Sequence, residues 1–368
     1  MATLLSTDVG PALSLTYGRA LMPQFTRKHA LLSLIRRILS TEKSVNWTVD
    51  LKNGVADAVA VAEDKRRAYS DSKKFLQKPC NLSFAYYDDV ASISGRAAAI
   101  SRGRTSVLGG APNLHRKQLT DSVGRLGAGI ATEIYSGDGT GPDGDQSIVG
   151  LGTIVASSGT YAGLNGSTYS EWTSTVDTID WADITFDNLE DQLIRPIYDA
   201  SGEEPEVIVT TSAIFQKIKS LYGSNTVPYA REISTAGRVV KLQSGVRAIE
   251  IAGGVPVIRD ADCPANKIWG LNLNYLWLEQ LDYAPESQQP EDQILMGLQS
   301  LRADPNSPLP KEILGELAGE IRNADGITPM IKKLGASGNS DDYITFADLQ
   351  LACNKRNAQG VLTVENAP

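Results

Sequence analysis

The stretch SGDGTGPDGD, residues 136–145, holds four glycines and three aspartates in ten positions. Gly139, Gly141 and Gly144 fit G-x-G-x-x-G, the spacing of a loop that cradles phosphate, and Asp138, Asp143 and Asp145 are residue types that ligate cations. A phosphate cradle needs a strand, then glycines, then a helix whose N-terminal amides face the anion. Here the order is reversed, since helix spacing runs into the glycines and strand-like sequence follows. Pro142 removes one amide from the loop, and no Lys-Ser/Thr follows the last glycine. The EF-hand spacing is absent too, which leaves a casual surface cation as the one remaining ligand reading. The preferred reading is structural: Gly137 caps a helix, and Gly139 and Gly141 turn the chain with the aspartates.

Other reactive types are sparse. The two histidines, His29 and His115, fall in a basic helix and a basic loop, and no G-x-S-x-G occurs. Cys80, Cys263 and Cys353 are scattered with no C-x-x-C pair, which reads as free thiols in a reducing compartment and not as a disulfide frame or zinc site. GEEPE (202–206) and RDADC (259–263) bring carboxylates close together and read as solvated turns. Trp47, Phe84, Tyr86 and Tyr87 sit on alternating strands and read as sheet packing rather than as a stacking platform for bases. No catalytic residue, cofactor or metal ligand is assigned.

The elements that would carry these residues are legible from hydrophobic period. Leu31, Leu34, Ile35, Ile38 and Leu39 form a helical stripe within 25–42, and residues 1–24 read as an extended arm. VNWTVDL (45–51) and NLSFAYY (81–87) alternate as strands around a charged stretch, giving a two-stranded excursion with Lys65, Arg66, Arg67, Lys73, Lys74 and Lys78 at its basic tip. Such a ribbon is marginal alone, and its own chain offers no obvious core for it to lie on. A helix is predicted over 118–135, capped by Thr120 or Asp121, with further helices over 187–200, over 212–223 (Ser212 as cap) and over 311–323. Strands are predicted at 206–211, in several pieces of 246–280, at 341–353 and at 360–364. The fold class is α+β, without the regular alternation of a doubly wound sheet.

Charge is divided along the chain. Residues 1–120 carry 18 Lys and Arg against 9 Asp and Glu, and the remaining residues carry 17 against 34. A basic front suits nucleic acid, or the acidic back of another copy. No apolar run reaches the length of a membrane span, and the start MATLLSTDVG has no secretory pattern, so no membrane partner is expected.

Several stretches, taken in order, resemble the major capsid proteins of tailed bacteriophages with the Hong Kong 97-like fold. They are YDDVASISG (87–95), YSGDGTG (135–141), GTYAGLNGSTYSEW (159–172), VIVTTSAIFQKIKSLY (207–222), GGVPVIRDADCPANKIWGLNLNYLWLE (253–279) and QLACNKRNAQGVLTV (350–364). The resemblance implies an N-terminal arm and helix over 1–44 and an extended loop over 45–90. It implies a peripheral domain with a long spine helix over 91–146, completed by 341–368, and a mainly axial domain over 147–282. Residues 283–340 have no counterpart and read as an inserted segment or subdomain. The resemblance further implies a non-enzymatic shell protein of the virion, assembled in the bacterial host cytoplasm as hexamers and pentamers around double-stranded DNA. Implied partners are other copies of the chain, scaffold and portal proteins, packaged DNA held without sequence specificity, and a decoration protein. Trp47 and the basic loop residues would then make contacts between subunits. No long charged scaffolding segment precedes the arm, so a separate scaffold, or a processed or scaffold-free form, is expected. Two alternatives stay open: an encapsulin-like cellular compartment and, from another class, a nucleotide- or phosphate-binding enzyme.

Overall fold

The computed structural model describes residues 29–51, 76–94, 114–141, 146–222, 229–230, 232–235, 238–241, 248–251, 254–281, 330–337 and 340–367. The expected arm, the tip of the basic loop and the helix expected over 311–323 lie outside them.

The helix expected over 25–42 is cut short. α1 (Ala30–Leu34) is a single buried turn, and β1 (Arg36–Ser40) is a strand parallel to Leu276–Leu281. Over so few residues, helical and alternating spacing overlap, and the available strand partner decides. β2 (Ser44–Leu51) and β3 (Leu76–Ser83) pair antiparallel from Ser44 opposite Ser83 to Leu51 opposite Leu76. Val45, Val49, Leu51 and Cys80 are buried within their own chain, so the base of the ribbon does have a core to lie on.

β4 (Ala85–Ser94) leads to α2 (Leu114–Ser136), which starts before the expected cap. Thr120 and Asp121 therefore sit inside the helix, while Val123, Leu126, Ile130 and Ile134 are buried at helical spacing. Then come β5 (Asp138–Thr140), β6 (Gln146–Val149), α3 (Leu151–Ile154), β7 (Thr160–Tyr161), β8 (Leu164–Asn165) and β9 (Thr175–Asp180). α4 (Phe186–Leu189) begins with Thr185 accepting the Asn188 N–H, and runs through a π turn, Glu190–Ile194, into α5 (Arg195–Ser201). The π turn stands just before Pro196, which has no N–H to donate into a regular helix.

β10 (Val207–Thr210) is buried throughout, and α6 (Ser212–Ser220) follows with Thr211, not Ser212, at its N-cap. The remaining strands are β11 (Tyr229–Ala230), β12 (Glu232–Thr235), β13 (Arg238–Lys241), β14 (Ala248–Glu250), β15 (Pro256–Arg259), β16 (Lys267–Leu271), β17 (Leu276–Leu281), β18 (Met330–Ser337), β19 (Ser340–Cys353) and β20 (Gly360–Glu365).

Two sheets organise the chain. One joins β1, β17, β19, β18 and β4, with α2 packed on one face. The other runs β11-β14-β15-β10-β16-β20-β9, mixed in direction, with α4, α5 and α6 contributing to the apolar layer on one of its faces. Sheet membership does not follow chain order in three segments. β17 belongs with β19 and not with the seven-stranded sheet, β18 joins the five-stranded sheet although it falls inside the expected insertion, and β20 crosses to pair with β16 and β9. The sequence from 341 to 364 reads as one closing unit because both strands are apolar; only pairing separates them.

Candidate interaction surfaces

The glycine stretch is built as a helix stop and a hairpin. α2 ends at Ser136, the Gly137 N–H donates to the Glu133 carbonyl (2.8 Å), and the Gly150 N–H donates to the Gly137 carbonyl (2.8 Å). β5 and β6 then pair, Gly139 takes φ +89°, and the Asp138 carboxylate accepts the Thr140 N–H at 2.8 Å. A helix C-terminus presents carbonyls and the negative end of its dipole, which disfavours an anion. Gly141 continues the chain beyond β5, and Pro142 to Asp145 lie outside the described residues.

Trp47 packs against aromatic rings of its own chain. Its ring is partly buried in its own chain, 5.6 Å from the Trp277 ring in an edge-on contact and 6.1 Å from Tyr161. Lys78 stands on β3 opposite Val49, partly buried. Lys65, Arg66, Arg67, Lys73 and Lys74 are outside the described residues.

Of the two acidic stretches, RDADC is not a solvated turn, whereas GEEPE keeps Glu204 exposed and Glu203 partly so. Asp260 is 4% exposed and accepts the Leu31 N–H (2.8 Å), the Tyr135 hydroxyl (3.0 Å) and the Asp262 N–H (3.2 Å). Burial pushes its carboxyl above the usual value, against the pull of those hydrogen bonds. Asp262 meets His29 Nδ1 at 2.5 Å, so this turn pins α1 and the end of α2 to the β15–β16 connection. Glu203 accepts from the Tyr275 hydroxyl (2.6 Å), Lys355 Nζ (3.0 Å) and Asn272 (3.1 Å); the Tyr275 bond, helped by the lysine, lowers its carboxyl pKa. A groove of about 410 Å³ adjoins this cluster, lined by Asp50, Glu171, Tyr275, Lys355 and Asn357 among others. These groups are bonded to one another across elements, which is a structural use of charge.

Sequence reading missed Arg356. It is 1% exposed, in the turn between β19 and β20. Its guanidinium donates to the carbonyls of Ile154 (2.7 Å), Trp172 (2.8 Å), Ala156 (3.2 Å) and Thr153 (3.4 Å). It lies 5.5 Å from the Tyr161 ring centre and 5.9 Å from that of Trp172. Burial disfavours the charged form, and the surrounding carbonyl dipoles and ring faces replace water.

The five-stranded sheet leaves one face less covered. α2 engages the face carrying Asp89 and Thr345, through Ser122 and Arg125. Tyr86 and Asp348, opposite each other in register and three residues away, lie on the other face. Tyr86 is 65% exposed, whereas Asp348 is 6% exposed and burial pushes its carboxyl from 3.8 to about 6. The folded state therefore holds this proton where the unfolded chain releases it. Stability from this group is full below pH 3.8 and is lost as pH rises through about 6. Asp348→Asn should flatten that loss and raise the melting temperature of the unassembled chain at pH 7 by about 1–3 °C. Identical pH profiles for the two proteins would refute it.

No helix among the described residues is long and apolar enough to cross a membrane. No protein-family model matches the sequence, and no curated protein does either. Solved structures do match over nearly the whole chain. The capsid asymmetric unit of cyanophage A-1(L) is 18% identical with a TM-score of 0.65, covering 95% of this chain and 97% of that one. The holo-SrpI encapsulin complex of Synechococcus elongatus is 14% identical with a TM-score of 0.54, covering 96% and 94%. The capsid of the native GTA particle is 12% identical with a TM-score of 0.53, covering 96% and 98%. With two sheets, a long helix against one of them and a ribbon between Ser44 and Ser83, the chain has the Hong Kong 97-like fold of phage capsid proteins.

Proposed function

We propose that this chain is the major capsid protein of a tailed-phage head, a structural protein whose copies build an icosahedral shell. The observation that carries the reading is the end-to-end likeness to the cyanophage capsid subunit, with neither chain leaving a large part unmatched. In this reading the copies form hexamers and pentamers around double-stranded DNA, with scaffold, portal and decoration proteins as partners. The shell forms in the host cytoplasm and ends in the virion. The chain is not an enzyme: its buried charges serve to tie elements together, as the Asp260 and Arg356 clusters do.

The segments keep the roles the resemblance implies, with strand membership as the sheets give it. Residues 45–90 act as the extended loop, whose tip with Lys65, Arg66, Arg67, Lys73 and Lys74 reaches the acidic body of the next copy. The five-stranded unit is peripheral, the seven-stranded unit is axial, and 283–340 is the inserted segment, whose strand β18 joins the five-stranded unit. Exposed ion pairs contribute only ~0–1 kcal/mol each, so the charge split sets register while buried area holds the shell.

The second reading, an encapsulin-like compartment, is favoured by the likeness to the SrpI shell. Negative-stain microscopy of the expressed chain tests both. Closed polyhedra or ring-shaped capsomers are the expected result, and a permanent monomer at high concentration would refute a shell. Shells that retain a co-expressed protein cargo and never nucleic acid would favour the compartment.

A further inference from the structure

A trough crosses the surface where three parts of the chain meet. Its wider part, about 410 Å³, lies between the end of β2 (Thr48 and Asp50), the turn Ser170–Trp172 and the β19–β20 turn (Asn354 and Asn357). A narrower part, about 270 Å³, shares Glu171, Ala200 and Asn357 with it and ends at Thr175, the first residue of β9. β9 is a sheet edge: among the described strands it pairs only with β20. The Thr175 N–H donates to the Gln359 carbonyl on the β20 side (3.2 Å), so alternation turns the Val176 N–H and carbonyl to the open side. The Val176 side chain is 42% exposed. An open edge with an exposed β-branched residue invites an extended chain.

Charge along this path has one sign. Lys355 is held by Glu203 at 3.0 Å, over the Tyr275 ring. Asp50 and Glu171, on facing walls, have no cation among the described ion pairs. Asp177 follows on β9, exposed, its carboxylate accepting the neighbouring Thr178 N–H. An extended occupant must therefore bring cations. The chain's own sequence holds one dense set: residues 65–74 carry Lys65, Arg66, Arg67, Lys73 and Lys74 against Asp71 alone. Between Leu51 and Leu76, the last described ribbon pair, stand 24 residues, 52–75. Half of them out and half back reach at most ~40 Å, enough to cross to a neighbouring copy.

We propose that the trough and the β9 edge form one receptor, and that residues 65–74 of a second copy seat in it as an extended segment. The proposal rests on the shell reading and deepens it by naming what the loop tip meets. The cations approach Asp50, Glu171 and Asp177, and the segment runs on beside Val176. Burial in the trough supplies the affinity, and the charges select partner and register. A contact between two different patches of the same chain repeats from copy to copy, and it closes into a ring where the rotation allows.

Two measurements on the full-length chain test this. A synthetic peptide of residues 62–76 should bind the dissociated chain, more weakly as salt rises. Asp50→Lys with Glu171→Lys should weaken that binding by about tenfold or more, because like charges then face each other. In assembly, read by sedimentation and negative-stain microscopy, the same pair should lower particle yield by about tenfold or more, and so should Lys65→Glu with Arg66→Glu and Arg67→Glu. The fivefold variant should recover the yield. The milder Asp50→Asn with Glu171→Asn should fall between parent and reversal, and it serves if the reversed pair misfolds. Parental yield from either reversed set overturns the proposal, as does a fivefold variant no better than its worse half. A peptide that binds parent and reversed trough alike overturns it too. So does a dissociated chain whose melting temperature falls when either set is reversed and returns in the fivefold variant, since its own loop then fills the trough. A parent chain that never assembles overturns the shell reading; the peptide then decides the contact, and its failure to bind overturns that as well.

Discussion

Replacing Arg356 by alanine should cost about 3–5 kcal/mol of stability in the unassembled chain, because it removes a charged donor from four carbonyls, of which Ile154 and Ala156 keep Ser174 as a donor, and opens a cavity. The two shortest bonds, to Ile154 at 2.7 Å and Trp172 at 2.8 Å, are charge-assisted, and the side chain is 1% exposed. Arg356→Lys should recover less than half of the loss. An ammonium keeps the charge but neither reaches four carbonyls at once nor offers a planar face to the Tyr161 and Trp172 rings. Denaturant midpoints at constant slope would measure both variants. A loss below about 1 kcal/mol for alanine would mean that the carbonyls find other donors, and that the guanidinium is not what holds the turn. The consequence for assembly is local. The turn sits where the chain leaves β19 in one sheet for β20 in the other, so loosening it frees one of the crossings that join the two sheets.

Arg356 was invisible in the sequence for a physical reason. In CNKRNAQG it stands among polar neighbours, and no period distinguishes a buried arginine from an exposed one. The same holds for Asp262 and His29, which lie 233 residues apart in number and meet only through the fold. What was legible was what depends on near neighbours: the alternation of β2, the stripe of α2 and the buried run of β10. Strand β1 was misread because Leu34, Ile35, Ile38 and Leu39 satisfy a helix over one turn, and the parallel pairing with Trp277–Leu281 is a long-range fact. The packing of Trp47 against Trp277 and Tyr161 is not legible in the sequence, because those partners are distant along the chain. The fold itself was legible because several weak stretches occur in a fixed order, a signal that no single stretch carries.

Gly137→Ala should cost about 3 kcal/mol or more, the price of forcing an extra carbon into a filled space. A Cβ built at Gly137 would stand 2.1 Å from the Ile148 carbonyl oxygen and 2.7 Å from that of Glu133, both backbone atoms that cannot swing aside. Gly150 meets the same helix end, 2.5 Å from the Glu133 oxygen and 2.8 Å from that of Ile134, and Gly150→Ala should behave alike. Gly139 is different in kind. It takes φ +89° with only Val149 Cγ2 near, so Gly139→Ala should cost about 1–2 kcal/mol from backbone strain. Gly124 and Gly129, earlier on α2, have nothing within 4 Å, and alanine there should stabilise by about 0.5–1 kcal/mol each. Thermal or denaturant unfolding of these five variants reads a graded series with a change of sign. A phosphate loop predicts another pattern, with little loss of stability at Gly137 and a nucleotide-dependent melting shift abolished at Gly139. An uncrowded Gly137, tolerating alanine at no cost, would remove the argument that these glycines exist so that the end of α2 can sit flush against the β5–β6 hairpin.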